Sequence, residues 1–161
     1  MIVFRLAREQ FAHTLSGKGA AIRGARWNSP GVEMIYTAEN RSLAMAEVAV
    51  HLTVGTMPAD FRMISIEIPD ELPVQTIDVK ELPSEWNAFP HPAGTQKTGD
   101  QFIIDGRFAV LKIPSVVTEG DFNYLINPMH PDFRKIRIVE VKQFAFDGRL
   151  FSYRHEHTSN G

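Results

Sequence analysis

The chain has 161 residues, of which 43% are hydrophobic and 22% charged, with a formal net charge of −2 and no cysteine. That length suits one domain with a single core, and the balanced charge argues against general binding to nucleic acid. The absence of cysteine excludes a disulfide framework, a thiolate zinc site and a cysteine nucleophile.

In chain order, residues 2–6 read as a first strand with Arg5 as its polar member. The N-terminus MIVFRLAREQF has no signal-peptide hydrophobic region, and no apolar run reaches the roughly 20 residues that span a bilayer. A cytoplasmic protein off the membrane is expected. Residues 16–24 (SGKGAAIRG) suit a loop or a short capped helical turn. Residues 34–37 read as a buried strand, and residues 40–52 as a helix capped by Asn40 or Ser42. Residues 61–68 alternate at period two, which predicts a half-buried strand stopped by Pro69, and residues 74–79 are a further candidate strand. The proline-rich stretch 82–94 reads as a surface excursion, and 95–104 as a short amphipathic helix. Residues 109–117 read as a strand whose Pro114 points to an edge or a bulge. Residues 122–133 (FNYLINPMHPDF) read as a structured loop, 136–141 as a last strand, and 144–150 as a segment that closes the sheet. The domain is expected over 1–150, with 151–161 a polar tail that is a candidate for disorder. The expected class is α+β, with many short strands and few long helices.

Three placements are energetically awkward, and such placements mark candidate sites. Glu47 sits among Leu43, Ala44, Ala46, Val48 and Val50, so it must face a cleft, an ion partner or an exposed stripe with Arg41 or His51. Arg26 stands in a turn stocked with Gly24, Asn28, Pro30 and Gly31; a rigidly held guanidinium suits bidentate recognition of phosphate or carboxylate, whereas an ordinary surface loop would leave it solvated. Arg5 in a strand either points outward or needs an acidic partner or an anionic ligand. Tyr36 ends the strand leading into the Glu47 helix, where its ring is either core or a stacking surface. Ser115 and Asn127 lie beside prolines, in positions fit for hydrogen bonding or for turns.

Other patterns carry less. The SGKGA around Lys18 lacks P-loop spacing, and no serine stands in a G-x-S-x-G setting. His155 and His157 have no matching third ligand and read as solvated tail, and His91 and His130 read as loop residues.

Taken in order, FRL, SGKGAAIRGARWNSPG, YTAE, AEVAVHL, TGDQF, KIPSVV, NYLINPMHPDF and FDGRL resemble the RES-domain family, the toxin half of a class of bacterial toxin–antitoxin pairs. The resemblance spans nearly the whole chain. It implies an ADP-ribosyltransferase-like fold, with a split, curved mixed β-sheet around a cleft, and an enzyme that consumes NAD by hydrolysis, phosphorolysis or ADP-ribosyl transfer. The family's arginine, glutamate and serine map onto Arg26 (with Arg5 the other contender), Glu47 and Ser115. By the same resemblance Arg26, Tyr36, Glu47 and Ser115 are catalytic candidates, and Arg5, Arg26, Tyr36 and Asn127 contact NAD, which is a substrate; no metal is expected. The implied partner is a helix-turn-helix, Xre-like antitoxin covering the cleft. Ala25 departs from the glycine more common in the family, which is tolerable where the backbone has negative φ. The alternative from another class is a catalytically silent module that binds a nucleotide or a partner.

Overall fold

The computed structural model describes residues 1–53, 55 and 57–151, so the tail from 152 onward, with His155 and His157, lies outside the described residues. Seven strands form one mixed sheet: β1 (Ile2–Arg8), β2 (Ile35–Ala38), β3 (Phe61–Glu67), β4 (Val74–Thr76), β5 (Val110–Pro114), β6 (Phe122–Ile126) and β7 (Arg137–Gln143). Their order is β4-β5-β6-β2-β1-β3-β7, with only β4 and β5 parallel among neighbours. Among the described residues, three α-helices complete the α+β architecture: α1 (Lys18–Arg23), α2 (Arg41–Ala49) and α3 (Ala93–Asp105).

The sheet is nearly two. β1 pairs β3 along seven registered positions and β2 pairs β6 along four, yet β1 and β2 share only Phe4 opposite Ala38. Alternation of side chains sends each strand's residues to two faces. One face carries Val3, Ile35, Ile64, Ile66 and Ile126 into a common core. The other carries two cores. Phe4, Leu6, Ala38 and Met63 pack under Leu43 and Ala44 of α2, while Leu111, Ile113 and Leu125 pack with Trp27, Met34 and Phe102 of α3. The split between β1 and β2 therefore separates two packed bodies on one face, and α2 lies over it.

The helix after β2 forms where expected, with Asn40 Oδ1 accepting from Leu43 N at 2.8 Å as its N-cap. It ends earlier than residue 52, because the last turn tightens: His51 N donates to Val48 O and Leu52 N to Ala49 O, both spanning three residues. Several expectations need correction. Residues 122–126 are an interior strand rather than loop; FNYLI is buried against both β2 and β5, and so shows no alternation. β3 is covered on both faces, with Met63, Ile64, Ser65 and Ile66 all buried, rather than half-buried. Pro114 does mark a local edge: β5 lies between β4 and β6, but Pro114 falls beyond Lys112, the last residue paired with β4, so β6 alone flanks it there. Residues 144–150 add no strand. Pairing stops after Phe144, and Phe146 instead packs edge-on to Phe61, Phe144 and Phe151 at centroid distances of 5.4, 5.1 and 5.6 Å.

Candidate active site

The turn between α1 and β2 is built on buried Asn28 and half-buried Tyr36. Asn28, 0% exposed, donates through Nδ2 to the carbonyls of Ala20 (3.0 Å), Val32 (2.9 Å) and Ser29 (3.3 Å). Its Oδ1 accepts from the Tyr36 hydroxyl at 2.7 Å, and that hydroxyl in turn accepts from Trp27 N at 3.1 Å. The Tyr36 hydroxyl is thus spent on the turn, and burial raises it well above the ordinary phenol range; what remains of Tyr36 for a ligand is its partly exposed ring. Gly24 at φ 73° supplies the left-handed corner, where a Cβ would stand 2.8 Å from Asn28 O. Ala25 is not among the described residues with positive φ, so alanine is accommodated there.

Held this way, Trp27 is buried, and Arg26 forms two bonds with the same distant loop that Trp27 packs against. Its guanidinium donates to Trp86 O at 2.6 Å and Ala88 O at 3.0 Å, while Trp86 stacks on Trp27 at 6.4 Å. No carboxylate of the described residues forms an ion pair with Arg26 within 4 Å. Burial lowers its affinity for the proton, and the charges of Glu47 and then Tyr36 raise it. Arg26, Tyr36 and Glu47 therefore share one electrostatic neighbourhood.

Glu47 lies one turn beyond Leu43 and Ala44 on the sheet-facing stripe of α2, at the helix's reach across the split. It is neither buried nor fully exposed, and its Oε1 accepts from Ser115 Oγ at 3.0 Å. Ser115 has little freedom in this. Its hydroxyl accepts from Val117 N (3.0 Å) and Thr118 N (3.2 Å), which fills both lone pairs and leaves its single proton for Glu47. Ser115 N donates to Asp121 O, and the Asp121 side chain accepts from Asn40, the cap of α2. The helix start and its glutamate are thus tied to the same β5–β6 connection.

Two of the sequence candidates lie elsewhere. Arg5 shares its face with Val3 and Ala7, opposite to Phe4 and Leu6, on which α2 rests. It points inward and burial lowers its proton affinity, but no hydrogen bond or ion pair of the described residues reaches it. Asn127, 1% exposed, follows β6 at the end away from Ser115, and its Oδ1 accepts from Met129 N at 2.9 Å, closing its own turn. His130 likewise serves a local turn, accepting from Asp132 N.

The pattern of residues in α3 gave less away. Gln96, Gly99 and Asp100 all meet the arginine turn. The available signal was Gly99, since glycine inside a helix costs about 1 kcal/mol against alanine and persists where another backbone comes close.

The RES domain matches residues 2–147. The chain belongs to the RES-domain family. Among its relatives is the Prs ADP-ribosylating toxin of Sphingobium sp. (strain YBL2), 38% identical over 89% of this chain and 91% of that protein. Another is Toxin Res of Photorhabdus laumondii, 35% identical over 93% of this chain and 97% of the relative. A chain in the crystal structure of the M. tuberculosis MbcT–MbcA toxin–antitoxin complex shares the fold of this RES-domain protein, with a TM-score of 0.74 and 19% identity over 89% of this chain and 84% of that one.

Proposed function

We propose that this RES-domain protein is the toxin of a toxin–antitoxin pair and that it cleaves the nicotinamide–ribose bond of NAD. The observation that carries the reading is the Glu47 carboxylate held by Ser115 Oγ at 3.0 Å, on the helix that follows the strand whose Tyr36 ties down the Arg26 turn. Breaking that bond passes through an oxocarbenium-like sugar, as glycoside hydrolysis does. A carboxylate fixed by a hydroxyl that can only donate to it is oriented before the charge develops, so little reorganisation is needed when the cation forms. Glu47 stabilises the sugar cation and holds a ribose hydroxyl. Arg26 has five N–H donors and gives two contacts to the loop carbonyls. The remaining donors take the pyrophosphate and anchor the substrate by its far end. The Tyr36 ring stacks on nicotinamide, which is cationic in NAD and neutral once it leaves.

The relative named for ADP-ribosylation of Prs favours a protein side chain as the acceptor of the ADP-ribosyl group. The neighbour of like fold comes from a toxin–antitoxin complex, which supports a cognate antitoxin for this chain. The test is product analysis after incubating the purified, antitoxin-free chain with NAD, alone, with phosphate, and with a protein acceptor such as Prs. Nicotinamide is expected to be released by wild type and not by Glu47→Gln. Free ADP-ribose, its 1″-phosphate or a labelled protein band then identifies the acceptor. NAD left intact by folded protein under all three conditions would sink the proposal.

A further inference from the structure

The arginine turn is braced from outside by one face of α3. Gln96, Gly99 and Asp100 stand three and four residues apart, so they project on one side of that helix. Gln96 Nε2 donates to Ala25 O at 3.0 Å and Asn28 O at 3.1 Å, the carbonyls on either side of Arg26 and Trp27. Gly99 comes so near that a Cβ would stand 1.7 Å from Trp27 O, a contact that only separation of helix and turn could relieve. Asp100 grips the far end of the turn: Oδ1 accepts from Ser29 N at 2.9 Å and Oδ2 from Ser29 Oγ at 2.5 Å. Both of these bonds come from neutral donors on a single residue of the turn, and bonds to an ionised acceptor are roughly twice as strong as neutral ones.

Fixing Ser29 fixes Arg26, because the Ala25–Asn28 bridge closes the intervening residues into one rigid hairpin. We propose that Asp100 is a positioning residue for the reaction: by clamping Ser29 to α3 it sets where the Arg26 guanidinium stands, and through it the affinity for the pyrophosphate of NAD. Asp100 itself touches no part of the substrate in this arrangement. The inference rests on the reading of Arg26 as the pyrophosphate ligand.

The experiment compares wild type, Asp100→Asn and Ser29→Ala in NAD cleavage, in calorimetric binding of ADP, and in inhibition by nicotinamide, with thermal melts to establish folding. Asp100→Asn keeps one acceptor but loses the charge and the second bond. It is expected to raise KM and weaken ADP by the same factor, about tenfold or more for a small misplacement of the guanidinium. Under the proposal kcat and nicotinamide inhibition change far less. Ser29→Ala should give a similar split, and the double variant should lose little beyond either single change, as residues acting through one contact do. Unchanged ADP affinity and KM in folded Asp100→Asn would overturn the proposal. So would a parallel loss of kcat, KM and nicotinamide inhibition, which is the signature of general damage. Should Asp100→Asn not fold, Ser29→Ala decides by the same measurements. Wild type that neither cleaves NAD nor binds ADP would instead overturn the NAD reading beneath it.

Discussion

Ser115 and Asn127 stand at opposite ends of the β5–β6 pair, each beside a proline, each at most 4% exposed, and each hydrogen-bonded through its backbone N–H to the partner strand side. The five residues Phe122–Ile126 of β6 lie between the two ends, a span of roughly 20 Å at the usual rise. Both side chains accept from the backbone of their own turn: Ser115 from Val117 N and Thr118 N, Asn127 from Met129 N. The difference is what is left over. Ser115 retains a proton, and the end of β5 at which it sits is the end that α2 crosses, so the proton meets Glu47. Asn127 closes its turn at the other end, two residues past Leu125, the partner of Tyr36 in β2, and its side chain bonds to Met129 N rather than to Glu47. Local chemistry makes a turn residue in both places; the register of the sheet makes one of them a partner of the Glu47 carboxylate.

The sharpest way to test that contrast is at the carboxylate itself. Glu47→Gln keeps size and an acceptor for Ser115 but removes the charge that would face the sugar cation. NAD cleavage should fall on the order of 10²–10³-fold, the loss typical of a preorganised electrostatic stabiliser, with the melting temperature near wild type. A rate within a few-fold of wild type would break the assignment. Ser115→Ala should come next. It frees the carboxylate to rotate, lowering kcat by about tenfold, and leaves two backbone N–H groups without their acceptor at a cost of about 1–3 kcal/mol. A chemical melt and a single-turnover rate on the same preparation separate the two effects.

Most of the site was legible along the chain because its parts are local. Residues 24–47 contain the turn, the strand-end tyrosine and the glutamate, and a helix of known phase carries Glu47 to the same side as Leu43 and Ala44. What could not be read was whatever depends on pairing. FNYLI passes for loop because a strand buried on both faces shows no alternation, and its neighbours β2 and β5 are far off in sequence. The orientation of Arg5 was equally hidden: only the register of β1 with β3 and its single contact with β2 put it on the face away from α2. The role of α3 is a matter of close approach over some seventy residues, announced in sequence by one helical glycine.

Asn127→Ala tests the other side of the comparison. It removes the acceptor for Met129 N, an exposed turn, so stability should drop by roughly 1 kcal/mol while the rate of NAD cleavage per folded molecule follows wild type. A fall in kcat to match that of Ser115→Ala would mean that both ends of the strand pair serve the reaction.

The effect at Tyr36 is read by pH: its hydroxyl is spent on a turn as the Asn127 side chain is, but this turn carries Arg26. Burial raises the Tyr36 phenol above its ordinary value near 10, so the unfolded chain releases this proton first as the solution becomes alkaline. The stability that comes from keeping the phenol protonated is therefore complete below about pH 10 and is lost as pH climbs from there toward the folded value. Tyr36→Phe abolishes that dependence. It also orphans Asn28 Oδ1 and Trp27 N, which should cost about 1–3 kcal/mol at neutral pH. Denaturant melts of the two proteins between pH 8 and pH 11 should then converge, the wild-type advantage shrinking only above about pH 10. A constant gap across that range would show that the hydroxyl's proton is not what holds the turn, and that Arg26 owes its place to α3 alone.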